Sequence, residues 1–155
     1  MNMNKAIATV GVIAITGLGA AIADEAPHPS VKARHAIMNL YANNLGQLGA
    51  MAKGQVDYDA EAASKAANNL ALLVQLDQST LWPQGTDNAA MSGTRALPAI
   101  WQDFPGVMKK SMALSDAVAA MQTAAGSDLA ALQGAMGNVG GACSACHKAY
   151  RQPED

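Results

Sequence analysis

Cys143-Ser144-Ala145-Cys146-His147 stands near the C-terminal end of a 155-residue chain. Two cysteines three positions apart, with a histidine directly after the second, form the attachment signature of a c-type haem. In that chemistry each thiol adds to one vinyl group of the porphyrin, and the imidazole ligates the iron from one face. On a helix, Cys143 and Cys146 lie on one side, nearly a turn apart. His147, four residues after Cys143, is carried under the ring. The sequence has two cysteines in all, so this motif uses its whole supply of thiols.

Three plainer readings compete with haem. A pair of cysteines can be a redox-active dithiol, as in a thiol–disulfide oxidoreductase, but that chemistry expects a strand-rich domain with the motif opening a helix. Here the motif closes a helical pattern, and no strand pattern is visible. A zinc site needs four ligands, and His28 and His35 have no ligand spacing to the motif. A structural disulfide would not need the histidine. Covalent haem c is therefore the expected cofactor, with Cys143 and Cys146 as thioethers and His147 as the axial iron ligand.

Working outward, the segment before the motif is strongly amphipathic. Leu129, Leu132, Met136, Val139, Cys143, Cys146 and Tyr150 recur three and four residues apart, the seam of a packed helix. This spacing predicts a helix from about Leu129 to Arg151, capped by Ser127 or Asp128. Both cysteines fall on the inward seam, so the ring is expected to point into the protein. Gly137, Gly140 and Gly141 each cost roughly 1 kcal/mol of helix stability against alanine. Their clustering predicts close approach by a neighbouring helix or by the porphyrin.

Three further helices are expected. Ser30 is a suitable cap for a helix over residues 31–53, with Arg34, Met38, Tyr41, Leu45 and Leu48 on its seam and Gly54 as its stop. Asp57 or Asp59 opens a second, to about Leu76, with a stripe of Ala63, Ala66, Ala67, Leu70, Leu73 and Val74. Ser79 to Pro98 reads as a long irregular crossing, and loops of that length in a compact domain often touch a ligand. Trp82 and Trp101 flank it and are expected to pin it by ordinary packing. A helix from Asp103 or Phe104 to Ala124 follows, with Pro105 in its first turn and Gly126 at its end. The fold class is thus all-α, an antiparallel four-helix bundle around one covalently attached haem.

The front of the chain carries an address. In residues 1–23, Lys5 is the only charge, Ala6 to Ala21 is apolar and small, and Ala21-Ile22-Ala23 has the small-x-small form that signal peptidase cleaves. The apolar run is shorter than the ~20 residues a membrane span needs. A cleaved secretory signal, a mature domain over residues 24–155 and a periplasmic location are expected. Removing the signal removes only Lys5. That leaves nine basic residues against 12 acidic ones, or about −3, where the full chain carries −2. An acidic balance with no basic run argues against a nucleic-acid partner. No Ser/His/Asp set, paired carboxylate site or phosphate loop marks an enzyme.

Over essentially the whole mature chain, the sequence resembles cytochrome c′, the class II c-type cytochromes. The resemblance rests on Val139-Gly140-Gly141-Ala142-Cys143-Ser144-Ala145-Cys146-His147-Lys148-Ala149-Tyr150-Arg151, on Val31 to Met38, on Lys53 to Ala60, on Gly85-Thr86 and on Ala99-Ile100-Trp101. Placement of the motif at the C-terminal end distinguishes this family from class I cytochromes c. The resemblance implies a periplasmic four-helix haem protein, commonly a homodimer. It implies that Arg34 and His35 approach the haem propionates, and that Thr86 and Asp87 add contacts from the crossing. It places Met38 over the distal face of the ring. His35 departs from the glutamine frequent at its position. Ile37 and Leu40, apolar and off the haem seam, either face a partner helix or complete the core of the monomer.

Two functions follow from that resemblance. In one, five-coordinate iron exchanges electrons with redox partner proteins or captures small neutral gases such as nitric oxide and carbon monoxide, and Met38 is an unbonded lid. In the other, the thioether of Met38 is the sixth ligand of a low-spin electron carrier.

Overall fold

The computed structural model describes residues 28–154. The expected signal peptide, its cleavage after Ala23 and the start of the lead-in lie outside those residues. Five helices are present among the described residues: α1 (Pro29–Ala52), α2 (Ala60–Gln75), the single turn α3 (Ala99–Gln102), α4 (Phe104–Ala124) and α5 (Leu129–Tyr150). A 3₁₀ turn, Ser79–Leu81, follows α2. The four long helices form an antiparallel bundle in which α1 packs on α2, α2 on α4, α4 on α5, and α5 back on α1.

Local chemistry sets the helix ends. Asp59, Asp103 and Asp128 cap α2, α4 and α5, accepting from the amides of Ala62, Gly106 and Ala131. Each satisfies one of the unpaired donors of a first turn. The expected cap of α1 is corrected. Ser30 lies inside the helix, Pro29 occupies the first turn, and the His28 ring nitrogen accepts from the Ser30 amide at 3.2 Å. A proline tolerated at the first helical position moves the boundary two residues upstream. Gly54 ends α1 at φ +67, a left-handed conformation that favours glycine. Gly126 serves a different purpose: a Cβ there would collide with the Ser64 hydroxyl of α2.

The core is aliphatic and small. Leu48, Leu70, Met121, Leu132, Val118 and Val139 are fully buried, and Ala63, Ala66 and Ala67 let α2 approach closely. Ile37 is buried in this same core, which decides its case for the monomer core rather than a partner helix. Leu40, one turn away from it on another side of α1, is half exposed. For the three glycines of α5, one of the two expected close neighbours is ruled out. A Cβ on Gly137, Gly140 or Gly141 would meet no protein atom within 4 Å, so no neighbouring helix closes on them.

The crossing from α2 to α4 is tied to the end of α5. Ala96 and Arg151 form an isolated antiparallel bridge. Leu97 donates to the Tyr150 carbonyl at 3.0 Å, and Gln152 donates to the Arg95 carbonyl at 2.8 Å. The Tyr150 hydroxyl donates to Asp103 at 2.6 Å, joining the end of α5 to the start of α4. The motif therefore sits on a helix end held from two directions.

Candidate haem site

The register of α1 against α5 decides what faces the motif. Gln133 donates to the Ala52 carbonyl at 2.8 Å, and a Cβ on Gly49 would lie 3.6 Å from the Met136 methyl. The helices are antiparallel, so equal steps along both keep them level. Eleven residues back from Gly49 is Met38, and eleven on from Met136 is His147. Those steps cover about 16 Å of helix. Met38 and His147 thus stand level on the two sides of the α1–α5 seam. Yet Met38 is 43% exposed and His147 is exposed, whereas Gly49 and Val139 further down are buried. The seam is closed by side chains at one end and left unclosed at the motif.

The motif thiols line this opening. Cys143 and Cys146 are half-buried and free, and burial raises the pKa of both. A thiol–disulfide enzyme needs the reverse, a thiol depressed toward the thiolate. Tyr41 lies beside Cys143 on the α1 side. Its phenol is pushed up to about 12 by burial first, then by the Cys143 charge. Partial desolvation lowers the pKa of His147, and the Arg151 and Arg95 charges lower it further. A neutral imidazole keeps the lone pair that binds a metal. Among the described residues, no three His, Cys, Asp or Glu side chains group as a metal cage. The zinc reading therefore has no ligand set.

Arg34 on α1 is the buried cation of this end of the bundle. It is 5% exposed, and no carboxylate pairs with it among the described residues. Its guanidinium donates to the Thr86 hydroxyl at 3.0 Å and to the Thr86 carbonyl at 2.7 Å. The Thr86 hydroxyl in turn donates to the Pro83 carbonyl at 2.8 Å. The Arg34 guanidinium carbon lies 4.6 Å from the centroid of Trp82 and 5.9 Å from that of Trp101. The two indoles meet edge-on, and Trp101 donates to the Trp82 carbonyl at 2.9 Å. A buried cation is ordinarily paired. Here neutral carbonyl and hydroxyl oxygens and aromatic faces hold it, and burial lowers its pKa. A carboxylate-bearing edge beside Arg34 would complete the pairing. Two thiols, a neutral imidazole and a buried guanidinium with no carboxylate partner among the described residues fit a haem c.

The other expected contacts separate. Thr86 joins Arg34 directly. Asp87 accepts from the Ala89 and Ala90 amides at 2.9 and 3.1 Å, closing a turn after Thr86. Its carboxylate stabilises the crossing loop. His35 follows Arg34 on the exposed side of α1 and joins none of these groups. The pairing of Trp82 and Trp101 around Arg34 was not expected. Ordinary packing was, and nothing local in the sequence ties the indoles to a residue 48 and 67 positions earlier.

Comparison with known proteins agrees with this geometry. Residues 29–151 match the family profile described as Cytochrome C′. The chain is 45% identical over 124 residues to cytochrome c-554 of Cereibacter sphaeroides, covering 80% of this chain and 81% of that protein. It is 45% identical over 132 residues to the cytochrome c′ of the same species, covering 85% and 88%. Among solved structures, cytochrome c′ from Rhodobacter Spheriodes superposes with a TM-score of 0.79 at 43% identity, over 81% of this chain and 96% of that one. A nitric oxide complex of a variant of cytochrome c prime from Alcaligenes xylosoxidans superposes with a TM-score of 0.71 at 34% identity, over 82% and 97%. The four-helix fold, the C-terminal motif and these matches agree: the chain belongs to the cytochrome c′ family, whose cofactor is a covalently bound haem c.

Proposed function

We propose that the protein is a periplasmic haem c protein that exchanges electrons and captures small neutral gases, nitric oxide or carbon monoxide, at a five-coordinate iron. Cys143 and Cys146 carry the thioethers and His147 is the axial ligand. Arg34 and Thr86 hold a propionate, with Asp87 fixing the loop that presents Thr86 and His35 at the rim. Residues 1–23 direct export and are cleaved after Ala23.

The observation that carries this reading is the position of Met38, level with His147 across an unclosed seam. An apolar, flexible side chain over the face opposite the axial histidine admits a neutral diatomic and disfavours anions. The nitric oxide complex of the Alcaligenes xylosoxidans relative supports the same use of the fold. The alternative, Met38 as sixth ligand, draws support from the same position and gives a low-spin electron carrier. Carbon monoxide binding separates the two. With Met38 as a lid, Met38→Ala leaves the resting spectrum nearly unchanged and quickens association by removing bulk. With Met38 as a ligand, the variant changes spin state.

The proposed assembly is a homodimer built on α1 and α2. A groove of about 430 Å³ runs between them, with Leu40, Leu72, Leu73 and Leu76 beside Asn43 and Asn69. Leu40 and Leu76 are each 50% exposed and Leu72 is 67% exposed. Sedimentation at micromolar concentration should find a dimer that Leu72→Glu dissociates. A monomeric wild type would remove this part of the proposal.

A further inference from the structure

His147 stands in the last turn of α5, which ends three residues later at Tyr150. Helix ends fray, because their last carbonyls have no partner inside the helix. A metal-ligating histidine is usually steadied by a hydrogen bond from its second ring nitrogen to a carboxylate or carbonyl. Among the described residues, the His147 ring has no such protein partner. The charged groups that act on it are Arg151 and Arg95, which donate and cannot accept. The orientation of the ring therefore depends on the turn that carries it.

A unit of three residues anchors that turn. Tyr150 is buried, and its hydroxyl donates to one oxygen of Asp103 at 2.6 Å. The other oxygen of the same carboxylate accepts from the Gly106 amide at 3.0 Å and caps α4. One carboxylate thus begins α4 and holds the end of α5. Gly106 is the gap that lets them meet. A Cβ there would collide with both the Asp103 carboxylate and the Tyr150 hydroxyl. Packing alone would be met by phenylalanine at position 150; the hydroxyl, the carboxylate and the missing Cβ serve the bond. The backbone completes the anchorage. The Arg151 amide donates to the His147 carbonyl at 3.0 Å, and the Leu97 amide donates to the Tyr150 carbonyl at 3.0 Å. Side chains three apart are neighbours on a helix, so a turn fixed at Tyr150 is fixed at His147.

We propose that Asp103, Gly106 and Tyr150 position His147: they set the rotation of the last turn of α5, and with it the direction from which the imidazole meets the iron. The proposal rests on His147 as the axial ligand. None of the three touches the iron, so they are positioning residues. Metal sites are sensitive to ligand displacements of about 0.5 Å or rotations of 10–20°, so a small release of the turn is enough. A ring held in one direction makes one bond of uniform strength. A ring on a loosened turn samples several directions and donates more weakly on average. Imidazole donation favours ferric iron, so a loosened ligand raises the midpoint potential.

The test uses the haem-loaded protein and two variants that break the clasp differently. Tyr150→Phe removes the bond and keeps the ring. Gly106→Ala keeps both partners and drives them apart. Resonance Raman spectra are recorded on the ferrous protein just after photolysis of bound carbon monoxide. Photolysis leaves the face opposite His147 vacant, so the iron–histidine band is readable whether or not Met38 binds iron. Each variant should broaden that band, shift it to lower frequency and raise the midpoint potential. The double variant should add little to either single one, because both break the same unit. Leu132→Ala, a destabilising change at the other end of the bundle, should leave band and potential where they are. An unmoved band and potential in Tyr150→Phe and Gly106→Ala would make the clasp purely structural and overturn the proposal alone. Equal shifts in Leu132→Ala would overturn it too, as the effect of any loosened bundle. A wild type with no iron–histidine band would overturn the axial assignment and the proposal with it.

Discussion

The two ends of this bundle are built on opposite plans. At the far end, where α1 finishes and α5 begins, the helices close on one another. Gly49 sits against Met136, Gln133 holds the Ala52 carbonyl, and the Tyr58 hydroxyl donates to the Ala125 carbonyl at 2.9 Å. Leu48 and Leu132 there are fully buried. At the motif end, the same two helices leave Met38 and His147 exposed across the seam, and Arg34 is buried with no carboxylate partner among the described residues. One end is completed by its own side chains. On the proposed reading, the other would be completed by a flat, acid-bearing haem.

This contrast predicts where substitution is felt most. Cys143→Ser with Cys146→Ser, expressed with haem-attachment machinery, should yield little folded protein. Without a covalent ring the motif end lacks its filler, and cavity costs of several kcal/mol approach the whole stability of a domain. Recovery of a stable, colourless double mutant, judged by thermal unfolding, would erase the distinction between the ends. Leu132→Ala tests the closed end. It should cost about 3 kcal/mol in denaturant unfolding and leave the haem spectrum as it is. Arg34→Leu tests the open end. It should cost about 2 kcal/mol through two charge-assisted hydrogen bonds, and it should also shift the haem midpoint potential. A potential unmoved by Arg34→Leu would place Arg34 outside the haem environment.

The smallest effect concerns pH at the clasp between α4 and α5. The Tyr150 hydroxyl, then the Gly106 amide, hold Asp103 below its ordinary carboxylate pKa. That contribution is present above the ordinary pKa near 4 and is lost as pH falls through the depressed folded value. The same bond raises Tyr150 to about 12. Its contribution is present below about 10 and is lost as pH rises through 12. Stability from the clasp is therefore flat across neutrality. Tyr150→Phe should move the acid-unfolding midpoint to higher pH, and an unmoved midpoint would show that the clasp is not formed in solution.

Much of the closed end was legible in the sequence, because it follows from local rules. Asp59 and Asp128 were each one of two candidate caps for α2 and α5, and the three-four stripe located the seam of α5. The fourfold helix count and the motif are local in the same sense. What escaped was non-local. Ile37 looks outward by spacing alone, and only the packing of α1 in the bundle buries it. The glycines of α5 look like contact points, yet no helix meets them. Trp82 and Trp101 read as packing residues until the crossing folds them around Arg34. The pairing of the tail with the crossing, Ala96 with Arg151 and Glu154 with Arg95, joins segments more than 50 residues apart that share no pattern. Met38 lay between these cases. Its seam position was readable, but its level against His147 required the register of two helices.

That level is the centre of the account, and the ferric spin state of the wild-type haem protein tests it most directly. Electron paramagnetic resonance with near-infrared absorption, taken on wild type and Met38→Ala, should show high-spin iron in both and no sulfur-to-iron charge-transfer band. A low-spin wild type whose charge-transfer band disappears in Met38→Ala would make Met38 a ligand, and the open gas-binding face would give way to a closed electron carrier.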